Sequence, residues 1–430
     1  MPPFLSPSFG RRSSDVVGLD IQPGFVAAVL GRCNGAVVAE RAAAVSLPAD
    51  TMREGDVVDV AVLSENLRKL FQRSRLSKRV RVGVANQRTV MRTLELPPVT
   101  DAKELAAAVR FQAQDQVPMP LASAVLDFQP LGIVETPGGP RQRVVLVAAQ
   151  RDMVERLLAA VRGAGLTPVG VDMSAFALIR SLYRSGAAGG AERVLYLNVD
   201  GLTNVAIAEG TECRFTRVLG GGIEEIAAEL AERRGIPHDH ARALLADVDL
   251  SPPPADAPQA PAKVASEPDA GADPAGVETA VLAEPAEELM PPDASLTAPQ
   301  PAGPQAFVER HAGEPAHAPE ASPEELVPSD EPSAEEEARA VLENGVRAIA
   351  GEVRNSLDFH RSQEGGGDVL RVVLSGSALE LRGFAEALQS SLGVDVHGES
   401  VGVADAGHLG GVSAHRLAVA TGLSTTEVRA

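Results

Sequence analysis

Two stretches far apart in the chain repeat one order of apolar and polar positions. Val16-Val-Gly-Leu-Asp-Ile-Gln-Pro-Gly-Phe-Val-Ala-Ala-Val-Leu30 and Val194-Leu-Tyr-Leu-Asn-Val-Asp-Gly-Leu-Thr-Asn-Val-Ala-Ile-Ala208 share a plan. Each reads as a short apolar strand, a polar turn opened by Asp20 or Asn198, and a second apolar strand. Strand, glycine-containing turn and strand form the hairpin pattern. A hairpin that recurs in register predicts two similar α/β lobes facing each other across a cleft.

Around the first hairpin, the pattern predicts a third strand after Asn34-Gly35, a helix over Val62–Arg75, and strands at Val80–Ala85 and Thr89–Leu96. Pro97-Pro98 closes that block. Asp101 and Glu104 have capping-box spacing and open a helix with Leu105, Ala108 and Val109 on one face, stopped by Pro118 and Pro120. Strands at Ala124–Pro130 and Arg143–Ala149 follow. Asp152 and Glu155 mark a second capping box, and Val154, Leu157, Leu158 and Val161 fall on one helical face. A strand at Pro168–Asp172 completes a small α+β unit over 97–172, which reads as an inserted subdomain. After the second hairpin, Gly220-Gly-Gly222 leads into a helix with Ile223, Ile226, Ala227 and Leu230 in phase. A long helix over Ala334–Arg361 buries Leu342, Val346, Ile349, Val353 and Leu357. A strand at Val369–Ser375, a helix at Phe384–Leu392 and a last helix at Ala414–Leu423 complete the pattern.

The expected boundaries are a flexible tail at 1–14 and a first lobe at 15–96, completed by 173–190 and 405–425. The second lobe takes 191–250 and 334–404. Residues 251–333 are different material. Ser251–Ala340 holds 18 of the 32 prolines and 19 Asp and Glu against 3 Lys and Arg. Such a composition does not offset chain entropy by burial, so 251–333 is expected to be a disordered acidic Pro/Ala/Glu linker. It also accounts for most of the formal charge of −19. The remainder is close to neutral, which argues against a nucleic-acid partner. Cys33 and Cys213 are isolated, so neither a disulfide framework nor a zinc site is expected. The N-terminus lacks the apolar region of a signal peptide, and no apolar run reaches the ~18 residues of a membrane span. The expected location is cytoplasmic, reaching a membrane only through a partner.

Longer motifs occur in a telling order. Glu104-Leu-Ala-Ala-Ala-Val-Arg-Phe-Gln-Ala-Gln-Asp-Gln-Val-Pro-Met-Pro is followed by Val125-Leu-Asp-Phe-Gln-Pro-Leu-Gly132. Then come Val145-Leu-Val-Ala-Ala-Gln-Arg-Asp-Met-Val-Glu, Glu352-Val-Arg-Asn-Ser-Leu-Asp-Phe-His, and Val373-Leu-Ser-Gly-Ser-Ala-Leu-Glu-Leu-Arg-Gly-Phe. The ordered set resembles the PilM family of type IV pilus assembly proteins. That resemblance implies an actin-like (ribonuclease H-like) two-lobed fold related to the division protein FtsA, with 97–172 as its inserted subdomain. It also implies ATP with Mg²⁺ in the cleft, and a bitopic inner-membrane partner, PilN, recognised through a short cytoplasmic N-terminal peptide. Other pilus assembly components are implied as partners, with the chain peripheral at the inner face of the cytoplasmic membrane.

The residues that would hold the nucleotide depart from the family pattern. A phosphate-gripping turn needs free N–H groups, small residues and a hydroxyl or lysine. In the first loop only Asp20 and Gly24 meet those needs. Gln22 replaces a glycine, Pro23 removes a donor, Phe25 adds bulk, and Ala27 replaces a lysine. In the second loop Asn198 stands where a Mg²⁺-organising carboxylate is expected, leaving Asp200, Gly201 and Thr203 as candidates. The nucleoside loop contributes Gly376 and Ser377. Two readings follow. In one, the hairpins persist as turns and the cleft binds nucleotide weakly or not at all, leaving a pilus assembly scaffold. In the other, ATP is held through backbone and Mg²⁺ by an active actin-like ATPase or kinase. No base for hydrolysis is placed by either loop, so no catalytic residue is assigned. His238-Asp239-His240 does not put both imidazoles on one helical face, and Asp239 is read as a helix cap. A partner peptide is expected between the first lobe and the subdomain, lined by Val80–Leu96 and Arg110–Pro120.

Overall fold

The computed structural model describes residues 15–34, 36–184, 192–252, 332–363 and 365–425. The tail at 1–14 and almost all of the acidic linker at 251–333 lie outside the described residues, as does Gly35.

The first lobe is built on a six-stranded sheet. Its order is Thr167–Met173, Arg79–Val84, Val17–Gln22, Phe25–Asn34, Ala36–Ser46 and Gly402–Val403. Val17–Gln22 and Phe25–Asn34 form the first hairpin, with Leu19 opposite Ala28 and Gln22 opposite Phe25. Val17, Leu19, Ile21 and Val26 to Val29 are all buried, because helices cover the sheet on both faces. Helices Val60–Ser74 and Arg151–Gly163 give Leu63, Leu67, Leu157 and Leu158 to this core. Ser174–Leu182 and Ala418–Ser424, with the turn before it, bring Leu178, Leu417 and Leu423. The last helix approaches the central strand closely: a Cβ on Gly18 would strike the Ala420 carbonyl.

The small subdomain differs from the expected 97–172 at both ends. Its three-stranded sheet runs Thr89–Leu96, Gly139–Gln150, Ala124–Thr136, with helix Ala102–Gln116 laid over it. Leu94 and Leu96 pack with Leu105, Val109, Val144 and Leu146 in a separate core, so the strand at 89–96 belongs here. Helix Arg151–Gly163 and strand Thr167–Met173 belong instead to the first lobe. Met153, Val154 and Val161 pack in the core of Val80 and Val82, and Val171 pairs in parallel with Val82. An amphipathic stripe specifies a buried face but not which sheet receives it. Nor does Asp152 cap that helix: Gln150 is the N-cap and makes no side-chain capping bond.

The second lobe has a five-stranded sheet ordered Glu212–Leu219, Thr203–Glu209, Arg193–Val199, Arg371–Ser375, Asp395–Gly398. The second hairpin joins Arg193–Val199 to Thr203–Glu209, with Val199 opposite Thr203. Ile223–Arg234, His238–Asp247, Ala334–Ser362 and Phe384–Leu392 are its helices. The long helix opens on a full capping box, Ser333 with Glu336, and buries the stripe from Leu342 to Leu357. The second lobe ends earlier than the expected 404. Val401 packs in the first core, and Gly402–Val403 pairs with Val38 and Ala39. Asp239 lies in the first turn of His238–Asp247, whose N-cap is Pro237, rather than capping it. No helix among the described residues is long and apolar enough to cross a membrane.

Candidate functional site: a closed cleft between two hairpins

The two hairpins place their turns, Pro23-Gly24 and Asp200-Gly201-Leu202, tip to tip between the lobes. Their approach is tight. A Cβ on Gly201 would run into the carbonyl of Pro23, so only glycine lets the backbones meet. A side-chain bridge backs this contact: the Leu202 N–H donates to Gln22 Oε1 at 3.4 Å, and Gln22 Nε2 donates to Asp20 Oδ2 at 2.7 Å. Gln22 thus becomes one link between the lobes.

Asp20 is only 3% exposed. Burial pushes its carboxyl up to about 7, and the nearby Asp200 charge adds to the rise against the Gln22 hydrogen bond and Arg416. Asp200, 1% exposed, is fully engaged. Arg416 donates from Nη2 to Oδ1 at 2.8 Å and from Nε to Oδ2 at 3.3 Å, and Ser377 Oγ donates to Oδ1 at 3.0 Å. The Arg416 guanidinium also stacks on Phe25, 3.7 Å from the ring centroid. Burial pulls on that guanidinium, but Asp200, Glu380 and Glu224 outweigh it and hold it firmly charged. Arg416 thereby ties the second hairpin to the first.

A second ion pair closes the first turn from the side. Helix Ile223–Arg234 begins after Gly220-Gly-Gly222, and the Ile223 N–H donates to the Asp200 carbonyl at 2.8 Å. Its first turn carries Glu224 onto Gly24, whose Cβ position would lie 2.7–3.0 Å from the carboxylate atoms. Gly24 holds φ at +74°, a left-handed turn that suits glycine. Arg242 pairs with Glu224, and His238 Nε2 stands 3.5 Å from its Oε2. Burial raises the Glu224 carboxyl, with Arg242 and His238 opposing the shift.

The remaining candidates lie around this contact. The Gly376 N–H donates to the His415 carbonyl at 3.0 Å. Ser375 Oγ donates to Asn198 Oδ1 at 3.0 Å. Thr203 is buried with its hydroxyl unpartnered, as is the whole side-chain amide of Asn204. Of the sequence candidates, the structure therefore joins Asp200 to Ser377 and presses Gly201 onto the first turn. Glu224, Arg242 and Arg416 are not among the sequence candidates. They come from three separate helical segments, and no local spacing announces their meeting. Two openings flank the contact. One, of about 1040 Å³, is lined by Gly24, Gly201, Glu224, His238 and Arg242. The other, of about 390 Å³, is lined by Phe25, Asp239, Glu380 and Arg416. Chemically the centre is a cluster of paired charges, with Arg416 on Asp200 and Arg242 on Glu224.

A further groove of about 870 Å³ separates the subdomain from the second lobe. Met91, Arg92, Thr93, Glu95 and Gln116 form one wall, and Phe215, Phe359 and His360 stand in the other. Of the 80–96 and 110–120 segments expected to line a groove between the first lobe and the subdomain, only Met91, Arg92, Thr93, Glu95 and Gln116 line this one, and its opposite wall is the second lobe. Both Thr89–Leu96 and Glu212–Leu219 are edge strands here. Arg143 crosses between the two bodies to Glu212 at 2.7 Å.

The chain is similar to a chain of a solved PilM–PilN type IV pilus biogenesis complex, at 20% identity and TM-score 0.67. That match covers 96% of this chain and 98% of the other. It is also similar, at 14% identity and TM-score 0.45, to the ethanolamine utilization protein EutJ from Carboxydothermus hydrogenoformans, covering 99% of this chain and 92% of that one. MreB5 of Spiroplasma citri bound to AMPPNP matches at 11% identity and TM-score 0.43, with 95% and 94% covered. The family described as type IV pilus assembly protein PilM matches residues 18–252, more than half of the chain. With the two facing hairpins, the two sheets and the inserted subdomain in place, the chain belongs to the PilM family of type IV pilus assembly proteins and has its actin-like fold.

Proposed function

We propose that this chain is a docking scaffold for type IV pilus assembly whose interlobe cleft is held shut by its own side chains rather than by nucleotide. The observation that carries this reading is the pair of hairpin turns in contact, with Arg416 clamped on Asp200 and stacked on Phe25. A triphosphate would have to displace that arginine before Mg²⁺ could reach the Asp200 carboxylate, and Glu224 stands against the first turn, with no lysine among the described lining residues. The donor set therefore does not fit ATP with Mg²⁺, although Asp20, Gly24, Asp200, Gly201, Thr203, Gly376 and Ser377 occupy the positions that would hold it. The alternative, an ATP-binding member of the superfamily, draws on the unpartnered Thr203 and Asn204.

In this reading the chain sits at the inner face of the cytoplasmic membrane, bound to the cytoplasmic N-terminal segment of a PilN-like bitopic protein. The groove beside Thr89–Leu96 suits an extended peptide. Its open strand edge offers main-chain partners, and Phe359, more than half exposed, offers an apolar anchor. A synthetic peptide of the cytoplasmic N-terminal segment of a PilN-like bitopic protein is expected to bind the full chain at micromolar concentration, equally with and without MgATP. Absence of binding at high micromolar concentration, or binding only with MgATP, contradicts the reading.

A further inference from the structure

We propose that Glu224 is a resident anion: its carboxylate fills the seat on the first hairpin turn and shuts the site against free phosphate compounds, an autoinhibitory contact built into the second lobe. The proposal rests on the closed-cleft reading above and names the group that enforces it.

The seat has the features of an anion site. Gly24 leaves open the space that a Cβ would fill, and the atoms that come closest to that space are the three carboxylate atoms of Glu224. The cations that would serve an incoming phosphate are already there and already turned to Glu224: Arg242 pairs with it, and His238 lies 3.5 Å away. The Glu224 side chain is only 10% exposed, so its charge is matched inside the protein rather than by solvent. The opening of about 1040 Å³ continues outward from the same residues, so the seat is reachable from outside. The ligand class is a compact polyanion of the pyrophosphate type, bound without need of a base.

Calorimetric titration of the full chain with pyrophosphate tests this. Wild type is expected to take up none at millimolar concentration. Glu224→Ala is expected to bind at least tenfold more tightly than wild type. Glu224→Gln, which keeps the shape and the fold but drops the charge, is expected to fall between. Glu225→Ala, on the same turn, is expected to match wild type and so separates the seat from general charge. The double variant Glu224→Ala with Arg242→Ala is expected to lose the gain. The proposal is overturned if neither Glu224 variant binds better than wild type, if Glu225→Ala gains as much, or if removing Arg242 leaves the gain intact. Uptake of MgATP by the wild type would instead contradict the closed-cleft reading on which it stands.

Discussion

Asp20 offers the sharpest quantitative test of the closed cleft. Its carboxyl is raised from an ordinary 3.8 to about 7 in the folded protein, chiefly by burial. The folded state therefore holds a proton that the unfolded chain has already released between those two values. Stability falls as pH rises from about 4 to about 7, and the full cost of the buried charge is present above 7. Every tenfold change in the protonation equilibrium is worth about 1.4 kcal/mol, so that cost is about 4 kcal/mol at pH 8 and less than about 2 kcal/mol at pH 5. Asp20→Asn keeps an oxygen to accept from Gln22 Nε2 and removes the charge. Urea unfolding of both proteins from pH 5 to pH 8 isolates the effect as their difference, since all other titrating groups are shared. The substitution is expected to stabilise by about 2–4 kcal/mol at pH 8, with the gap shrinking steadily toward pH 5. A gap independent of pH, or a destabilised variant at pH 8, would refute the placement of Asp20 in a dry, closed hinge.

Other expectations follow from the same contact. Arg416→Met leaves Asp200 buried with only Ser377 as partner, and an orphaned buried carboxylate costs about 3–5 kcal/mol; the urea midpoint should drop accordingly, and an unchanged midpoint would count against the clamp. Gly201→Ala drives a methyl into the Pro23 carbonyl, so the hairpins must part at a cost of about 1–3 kcal/mol. Faster amide hydrogen exchange at Leu202 is its expected signature. In the second lobe, Phe384→Ala empties a fully buried site and is expected to cost about 3–5 kcal/mol, read from the same melts.

Much of this architecture is legible in the sequence because it is local. The apolar strands around Pro23-Gly24 and Asp200-Gly201 carry their own turn chemistry, and the stripe from Leu342 to Leu357 has a period that only a helix satisfies. Assignment between bodies is where local pattern fails. The stripe of Val154, Leu157 and Leu158 specifies a helix, yet its partner sheet, that of Val80 and Val82, is set by tertiary packing. Leu94 and Leu96 likewise turn to the subdomain core, although Pro97-Pro98 suggests a boundary after them. The departures at Gln22, Pro23, Phe25 and Ala27 from the loop pattern that the resemblance implies are visible in the sequence. The side chains that close on these turns are not, because Glu224, Arg242 and Arg416 meet them across long sequence separations. Arg416 is hidden furthest: it precedes a helix whose apolar positions point to core packing, while its own side chain turns to Asp200.

Calorimetry of the full chain with MgATP bears most directly on the cleft closed by Arg416 and Glu224. The expected result is no saturable heat up to millimolar nucleotide, with or without magnesium. Saturable, magnesium-dependent binding at micromolar concentration would contradict it.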